Sequence, residues 1–577
     1  MDTEIKDFTA LSKNLKKSFV GFKKTRLAIL ADSASQFIIR AIKGTGIEYG
    51  FNYEIYEADY DQIDRQIFDS GSDLYAFKPE YLLILRSSEK LIKLFYQQTN
   101  VARVVFAEQQ IEYTNRIFEK VQNQIKCKII INSFPETNDA VFGNFSGKTD
   151  LSFPYQVKKL NLGLMTEAQK KGNLFLLQID SLISRIGSIT GFDPKMYITG
   201  DMVYSLDLLP YLAKNVHDII QAIGGNFKKC LILDLDNTTW GGIIGDDGME
   251  GIQIGDLGIG KAFTELQLWI LELKKRGIIL AVCSKNSEEI AKEPFEKHPD
   301  MKLHLDDIAV FVANWENKVD NIRYIQSVLN IGFDSMVFLD DSPFEREIVK
   351  MAIPEITVPS LPEDPAEYLI YLRSLNLFET ASFTDEDEHR TVQYQEETQR
   401  NNVQKSFIDE ASFLKSLEMT SEVKAFNGFS IPRIAQLTQR SNQFNLRTIR
   451  YTEEDVKMIA DSDQYLTLSF NLKDKFGDYG LIACVILKVM ENKTLFLDTW
   501  IMSCRVLKRG MEVFTLQAII LLASQKGYQH LIGEYIPTRK NAIVLDHYKN
   551  LGFSLIGENQ WQLNLDTYRG EQTVYIK

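Results

Sequence analysis

The chain has 577 residues, of which 45% are hydrophobic, 25% charged and 11% aromatic. This length predicts roughly four domains at about 150 residues each, and the composition excludes a disordered, collagen-like or coiled-coil protein. Lys and Arg number 65 against 78 Asp and Glu, a net charge of −13, so no overall positive field would draw the chain to nucleic acid or to an anionic membrane.

The N-terminal segment is polar and lacks the apolar core of a secretory signal. The longest apolar run, residues 518–523, is far shorter than a membrane span. The 5 cysteines are dispersed without a C-x-x-C pair, which indicates reduced thiols, and the 6 dispersed histidines argue against a Cys/His metal site. We therefore expect a soluble, cytoplasmic protein that binds neither nucleic acid nor membrane.

Apolar segments of strand length alternate with amphipathic stretches in the first part of the chain. These segments are residues 27–31, 53–56, 81–85, 103–106 and 128–131. Continuous apolar strands separated by helices are typical of a parallel sheet that is covered on both faces. We predict an N-terminal α/β domain of the flavodoxin or SGNH type over residues 1–220.

Asp32 and Ser33 directly follow the first of these strands. The pair resembles the nucleophile block of SGNH hydrolases, and Gly143-Asn144 is a candidate for a later block of that family. A D-x-x-H partner does not follow within the domain. We therefore expect an SGNH-like domain without a complete catalytic set, in which Asp32 and Ser33 cap a helix.

A second α/β series begins at Cys230 and predicts a doubly wound domain over residues 221–378. Polar side chains follow three of its apolar strands: Asp234 and Asp236 after the first, Ser284 and Asn286 after the second, and Asp340 and Asp341 after the third. In an open parallel sheet such strand ends form one ligand crevice. Converging carboxylates repel unless a cation neutralises them, and oxygen ligands without His or Cys favour Mg²⁺. Lys318, at the start of a helix, is a candidate for a second positive charge.

These residues resemble the four ordered motifs of the haloacid dehalogenase superfamily of phosphohydrolases, whose core is a Rossmann-like parallel sheet. The motifs correspond to Asp234-Leu235-Asp236-Asn237-Thr238, Ser284, Lys318 and Asp340-Asp341. The resemblance implies that Asp234 attacks phosphorus, that Asp236 protonates the leaving oxygen and then activates water, and that Ser284 and Lys318 hold the phosphoryl group. It also implies that Mg²⁺ is bound by Asp234, the backbone carbonyl at Asp236, and Asp340 or Asp341. The implied substrate contacts are Thr238 and Asn286.

Glycines are dense between Gly241 and Gly248, which predicts a tight turn and a hairpin flap beside the site. No long insertion follows before the next helix, so we expect no large cap domain. The string Ser342-Pro343-Phe344-Glu345 predicts a helix start with Ser as N-cap and Pro in the first position.

Residues 379–415 are strongly charged and rich in amides, with no Pro or Gly, and predict an exposed helical linker. Beyond them, strands near residues 466–470, 481–487 and 494–500 precede a helix near 511–526. Consecutive strands before a helix predict antiparallel pairing and an α+β domain over residues 416–577.

Finer strings, DLDNTTWGGIIGDDG, CSKN and FLDDSPFERE, resemble the FkbH-like (class IIIC) branch of the superfamily, whose longer members end in an acetyltransferase-like domain. The C-terminal domain resembles the GNAT acyltransferase fold. Residues 505–510 are similar to the R-x-x-G-x-G loop of that fold, although Lys508 replaces the first Gly. The implied contacts to acyl-CoA or phosphopantetheine are Arg505, Lys508, Arg509 and Gly510, and Tyr548 is a candidate acid. The alternative is a retained fold that only docks a carrier or a substrate.

The leading hypothesis is a Mg²⁺-dependent phosphatase that acts through an aspartyl-phosphate on a phosphorylated small molecule of a biosynthetic pathway. The alternative implied by the FkbH resemblance is a transferase that moves a glyceryl or acyl group from a phosphorylated glycerate to an acyl carrier protein, with Cys283 as a candidate thioester. A third hypothesis is a binding module with vestigial sites.

Overall fold

The structure, a computed structural model, describes residues 5–17, 21–137, 139–384, 387, 390–404, 407–538, 540–570 and 573–577. The chain divides into two compact units, Glu4–Gln221 and Ala222–Lys577. Parts of the predicted domains, among them residues 1–4 and residues 385, 386, 388, 389, 405 and 406 of the linker, lie outside the described residues. In the described part of the chain, no helix is long and apolar enough to cross a bilayer.

The first unit contains a five-stranded parallel sheet in the order β2-β1-β3-β4-β5. Its strands are β1 Lys23–Ala31, β2 Phe51–Glu57, β3 Tyr81–Leu85, β4 Lys128–Asn132 and β5 Leu174–Leu177. Its helices are α1 Phe8–Asn14, α2 Gln36–Glu48, α3 Ile63–Phe68, α4 Asp73–Phe77, α5 Ser88–Tyr96, α6 Asn100–Val104, α7 Phe106–Gln124, α8 Phe153–Lys170, α9 Ile179–Ile186, α10 Ser188–Gly191, α11 Pro194–Gly200 and α12 Leu209–Ile223.

Two sequence expectations for this unit were wrong. The predicted strand at residues 103–106 falls on α6 and the start of α7, where Phe106 is buried and Val105 exposed, a pattern that the helical turn produces in a short apolar run. Asp32 does not cap a helix. Both of its carboxylate oxygens accept from the Ser87 amide after β3, at 3.1 and 2.9 Å, and Ser35 occupies the N-cap position of α2.

The second unit begins with a four-stranded parallel sheet in the order β8-β7-β6-β9. The strands are β6 Cys230–Leu233, β7 Ile279–Ser284, β8 Ile308–Ala313 and β9 Met336–Leu339. The helices are α13 Ile244–Gly251, α14 Gly260–Lys275, α15 Glu288–Lys297, α16 Lys318–Leu329, α17 Pro343–Ala352, α18 Tyr368–Ser374 and α19 Arg390–Gln404. All four strands are buried almost throughout, because helices cover both faces of the sheet.

The last part of the second unit contains a seven-stranded sheet in the order β10-β11-β12-β13-β14-β16-β15. Its strands are β10 Val423–Lys424, β11 Tyr465–Asp474, β12 Gly477–Met490, β13 Thr494–Met502, β14 His530–Glu534, β15 Ser554–Leu555 and β16 Gln560–Asn564. Its helices are α20 Glu410–Ser416, α21 Ile431–Arg440, α22 Glu453–Ala460, α23 Met511–Gln525 and α24 His547–Asn550. The predicted antiparallel pairing of β11, β12 and β13 is confirmed, whereas β14 pairs with β13 in parallel.

The predicted linker is helical at α19, but the expectation that it is exposed was wrong. Tyr394 is 8% exposed and packs on the core behind β6 and β9, and Arg400 is 1% exposed. Arg400 is buried because its guanidinium donates to both carboxylate oxygens of Asp474, at 2.8 and 3.0 Å. A fully paired charge of this kind can lie in a core, so α19 is part of the packed interior of the second unit.

Candidate active site

The carboxyl ends of β6, β7 and β9 lie side by side, with β6 in the middle. Leu233 of β6 is in register with Leu339 of β9, and the Asp234 amide donates to the Leu339 carbonyl at 2.9 Å. The next residue on each strand is therefore an acid, Asp234 or Asp340. Sheet register alone brings together side chains that are more than a hundred positions apart in the sequence.

Asp234, Asp340 and Asp341 form a carboxylate cluster in which one oxygen from each residue lies within 4.8 Å of the others. Asp340 is fully buried and Asp234 is 6% exposed. Burial and the nearby charge of Asp340 raise the pKa of Asp234 above its usual range, although Lys318 opposes them. Burial and Asp340 likewise raise the pKa of Asp341. Burial is the larger cause of both shifts, and the charge of Asp340 adds to it.

Lys318 is the cation that contacts this cluster. It is the first residue of α16 and is 4% exposed, and its Nζ lies 2.9 Å from an Asp234 oxygen and 2.6 Å from an Asp340 oxygen. Burial disfavours the ammonium, but these two carboxylates outweigh it and raise the pKa of Lys318. The side chain therefore stays protonated and holds Asp234 in place.

Asp236 is not a member of the carboxylate cluster and is oriented by three donors. Its Oδ1 accepts from Trp240 Nε1 at 3.1 Å and from the Ile244 amide at 3.0 Å, and its Oδ2 accepts from Asn286 Nδ2 at 2.7 Å. Its side chain is therefore held by other contacts than the oxygens of the carboxylate cluster. A group that transfers protons needs such a fixed orientation.

Thr238 fixes the loop after β9 in this structure, and its contact to substrate remains a prediction. Its side chain is fully buried, and its hydroxyl accepts from the Asp341 amide at 2.9 Å and lies 3.4 Å from an Asp341 carboxylate oxygen. Arg346 supports the same turn by donating to the carbonyls of Asp340 and Asp341 at 2.8 and 2.6 Å. Together they fix the position of the β9 acids.

Ser284 ends β7, and its hydroxyl lies 3.5 Å from Asn286 Nδ2. Asn286 is 3% exposed and its amide group faces Asp236, so the structure shows it orienting that acid, while a contact to substrate remains a prediction. Cys283 lies within β7, is fully buried, and has a pKa raised by burial. The proposal of a thioester at Cys283 was therefore wrong, because a substrate cannot reach that sulfur.

The segment after the first motif forms a short helix rather than a hairpin. Gly241 bridges to Gln253, and α13, with a kink at Gly248, lies between them. The whole stretch from Asp234 to the start of α14 is described and contains no inserted domain. Ser342 accepts from the Glu345 amide and Pro343 follows it, so the predicted helix start is confirmed.

The donor set of the carboxylate cluster fits Mg²⁺. Its members are carboxylate oxygens only, on strand ends that Thr238 and Arg346 fix. Oxygen ligands on one or two carboxylates, with open positions for water and phosphate, are what Mg²⁺ prefers. The Asp236 carbonyl remains a predicted fourth oxygen.

Sequence analysis missed Trp240 and Arg346 as functional residues. Trp240 is fully buried, so its indole N–H needs a partner and finds the Asp236 carboxylate. Its position four residues after Asp236 was the available signal. Arg346 had a weaker one, a charged residue on the otherwise apolar face of α17.

The C-terminal loop residues predicted to bind a cofactor have other partners. Arg509 is 7% exposed and donates to both Glu397 oxygens at 2.6 and 2.8 Å, and Arg505 donates to Gln393. Both partners lie on α19. The Lys508 amide donates to the Glu512 carboxylate at 3.3 Å. A pyrophosphate at this amide would be repelled by the negative charge of Glu512. The structure thus favours the alternative of a fold without a CoA pyrophosphate at this loop.

Two loop features do match the sequence interpretation. Gly510 has a φ of +80° and stands directly before α23, and Lys508 adopts a φ of +62°, the left-handed conformation that a Gly would favour. Tyr548 is 1% exposed, and burial raises its pKa, so it stays protonated. Its role as an acid remains a prediction.

Comparisons with known proteins concern both units of the chain. A family model described as the FkbH N-terminal domain matches residues 26–221. A crystal structure of the N-terminal part of the protein BF1531 from Bacteroides fragilis, described as containing a phosphatase domain and complexed with Mg, is 50% identical. It covers 66% of this chain and 100% of its own chain, with a TM-score of 0.64. This chain belongs to the FkbH family.

Like its Bacteroides relative, this FkbH-family protein contains a phosphatase domain, of the haloacid dehalogenase type. Matches to acetyltransferases are too distant to support a conclusion. The ribosomal-protein-S18-alanine N-acetyltransferase of Escherichia coli is 16% identical and covers 27% of this chain and 99% of its own, with a TM-score of 0.21. A putative GNAT acetyltransferase from Desulfovibrio desulfuricans is 11% identical and covers 26% of this chain and 99% of its own, with a TM-score of 0.22. No curated protein matched the chain.

Proposed function

We propose that this FkbH-family protein is a Mg²⁺-dependent phosphohydrolase in which Asp234 is the nucleophile. One observation carries the proposal: Asp234 lies in a buried carboxylate cluster with Asp340 and Asp341, and a buried Lys318 contacts two of its members. An ordinary strand-end acid has no need of such surroundings. A phosphoryl-transfer site needs a nucleophile, a cation site and a second positive charge close together.

The reaction has two steps with balanced atoms. An Asp234 oxygen attacks phosphorus, the ester P–O bond breaks, and Asp236 gives its proton to the departing oxygen. A water molecule then attacks phosphorus, the bond to Asp234 breaks, and Asp236 takes the proton from that water. Trp240 and Asn286 donate hydrogen bonds to Asp236 and keep its carboxyl group oriented in both steps.

Mg²⁺ held by Asp234, Asp340 and Asp341 would offset the negative charge of the phosphoryl group. Lys318 supplies the protein's own positive charge and binds a phosphate oxygen, and Ser284 at the end of β7 holds a second one. Arg346 and Thr238 fix the position of the β9 acids.

We further propose that the substrate is a phosphorylated metabolite of a biosynthetic pathway. The absence of an inserted cap between Asp234 and α14 supports a site that opens to the surroundings, and the family resemblance suggests the pathway type. Under this proposal the C-terminal part is a GNAT-like fold. Its parallel pair, β13 and β14, within an otherwise antiparallel sheet supports that interpretation, while the contacts at Lys508 speak against CoA.

The test is phosphate release by the full chain from an aryl phosphate, a sugar phosphate and a phosphoglycerate, with Mg²⁺ or with EDTA. Asp234→Asn should lower kcat by about a thousandfold or more. Glu265→Gln, an equivalent carboxylate-to-amide change at an exposed position of α14, is the matched control and should retain the wild-type rate. Equal rates for wild type and Asp234→Asn would discard the assignment.

A second variant separates the role of Asp236. Asp236→Asn should slow hydrolysis of the sugar phosphate by about 10²- to 10⁴-fold. The first step with the aryl phosphate should suffer less, because that leaving group departs without a proton. If the rate of the first step fell by the same factor for both substrates, Asp236 would not be the acid.

A further inference from the structure

A cavity of about 670 Å³ lies inside the second unit, away from the carboxylate cluster. Its walls include Lys229 directly before β6, Ser335 directly before β9, and Met502 at the end of β13. The carboxylate cluster lies at the opposite, carboxyl ends of β6 and β9. The two sites therefore occupy opposite edges of the same sheet.

Positive charge is concentrated in this cavity, which we call the basic cavity. Six cationic side chains line it: Lys229, Arg390, Arg433, Arg440, Arg505 and Lys540. Among the described residues, two carboxylates belong to its wall, Asp334 and Glu355. This excess is the reverse of the chain as a whole, whose net charge is −13.

Among the described residues, Asp387 and Asp334 are each close to more than one of these cations. The buried Asp387 carboxylate is shared by Arg390 and Arg440. Asp334 forms an ion pair with Lys540, and the surrounding lysines hold the pKa of Asp334 below its usual range even though burial opposes them. One carboxylate thus serves several cations in each case.

Two cations donate their described hydrogen bonds to neutral groups, although Asp334 lies near Lys229 and Glu396 lies near Arg505. Lys229 Nζ donates to the Arg440 carbonyl at 2.9 Å. Arg505 donates to the Gln393 side chain, and its Nε donates to the Ser503 hydroxyl at 3.3 Å. Burial and the surrounding arginines and Lys540 lower the pKa of Lys229 to about 8. An anion in the cavity would relieve this repulsion.

The rest of the wall combines apolar side chains, among them Leu437, Phe444 and Met502, with polar ones such as Gln436 and Asn442. A volume of several hundred Å³ that combines apolar walls with a few charged groups is typical of a site for a small organic molecule. We propose that the basic cavity binds a small organic molecule with a multiply charged anionic group, a phosphate or a polycarboxylate. This site is separate from the phosphatase site and independent of the function proposed above.

The binding test uses the full chain carrying Asp234→Asn, in EDTA, so that the phosphatase site is inactive. Calorimetric titration with ADP, inorganic pyrophosphate and citrate compares an organic phosphate, a bare phosphate and a polycarboxylate. We expect saturable binding of ADP or citrate, weakened about tenfold or more by Arg505→Gln. Tighter binding of ADP than of pyrophosphate would show that the apolar wall contributes.

Lys508→Gln is the matched control, since it removes a positive charge near Arg505 from an exposed position outside the cavity wall. It should leave the affinity unchanged. Binding lost in Lys508→Gln but kept in Arg505→Gln would assign the ligand to the loop before α23 and overturn the proposal. No saturable binding of any of the three anions would overturn it as well.

A chemical probe places the ligand independently of protein stability. Pyridoxal 5′-phosphate carries a phosphate and an aldehyde, which condenses with an unprotonated amine to an imine and loses water, and borohydride reduces the imine to a stable amine. Labelling at Lys229, found by peptide mass spectrometry and suppressed by the anion that binds in calorimetry, is the expected result. Labelling spread over surface lysines without such protection would contradict the proposal.

Discussion

Lys318→Met removes the cation that contacts two members of the carboxylate cluster while keeping an unbranched apolar side chain that is one atom shorter. Lys318 is 4% exposed and its Nζ lies 2.9 and 2.6 Å from its two carboxylate partners. Removal of one partner from a buried ion pair costs about 3–5 kcal/mol, because the remaining charge is left without compensation. At about 1.4 kcal/mol for each tenfold, amide hydrogen exchange near the cluster should accelerate by roughly 10²- to 10⁴-fold.

The assay is hydrogen exchange by mass spectrometry in EDTA, on peptides that contain β6 and β9. Arg323→Met is the matched control, because Arg323 lies on the same helix but forms an exposed pair with Asp320, worth about 1 kcal/mol or less. Added Mg²⁺ should slow exchange in Lys318→Met more than in wild type, since it neutralises the same carboxylates. Equal exchange of both variants in EDTA would refute the charge balance argued here.

Three further predictions concern single side chains. Trp240→Phe removes the N–H that donates to Asp236 and should lower kcat by about tenfold at unchanged KM, measured by phosphate release; a change in KM alone would contradict a positioning role. Burial raises the pKa of Asp32 from 3.8 to about 6, which costs the folded N-terminal unit up to about 3 kcal/mol above that pH. Asp32→Asn should therefore slow its hydrogen exchange at neutral pH but not near pH 4, and equal effects at both would contradict it. Burial lowers the pKa of His547 from 6.5 to about 3. Between these two pH values the unfolded chain binds more protons than the folded chain, so acidification to about pH 5 should destabilise the C-terminal part by about 2 kcal/mol. His547→Phe should abolish that loss, so that the protection of β13 peptides, corrected for the intrinsic pH dependence of exchange, no longer falls on acidification to about pH 5; a retained loss would refute the cause.

The acids of the site could be predicted from the sequence because each follows an apolar strand. A parallel sheet brings strand ends to one edge whatever the loops between them do, so Asp234, Ser284 and Asp340 could be placed together without coordinates. Strand β8 was missed although residues 308–313 are wholly apolar, since two acids precede them and no site residue drew attention to them. Short apolar runs do not by themselves distinguish strand from helix, as the error at residues 103–106 shows.

Contacts between distant segments could not be predicted in this way. Nothing local in the charged stretch around Arg400 shows that its guanidinium meets Asp474, or that Glu397 binds Arg509. The sequence of this stretch suggested an exposed helix. Its charged side chains instead pair with residues of distant segments, which the sequence of the helix does not show. The basic cavity was hidden for the same reason, since its cations come from several separate segments of the chain.

The most direct test of the central claim is to trap the phosphorylated nucleophile. The full chain is mixed with an aryl phosphate and Mg²⁺, quenched during turnover and treated with borohydride, which reduces an acyl phosphate at Asp to homoserine. Peptide mass spectrometry should find homoserine at position 234, in greater amount in Asp236→Asn and not at all when EDTA replaces Mg²⁺. Phosphate release without homoserine at position 234, or with homoserine at another acid, would contradict the account.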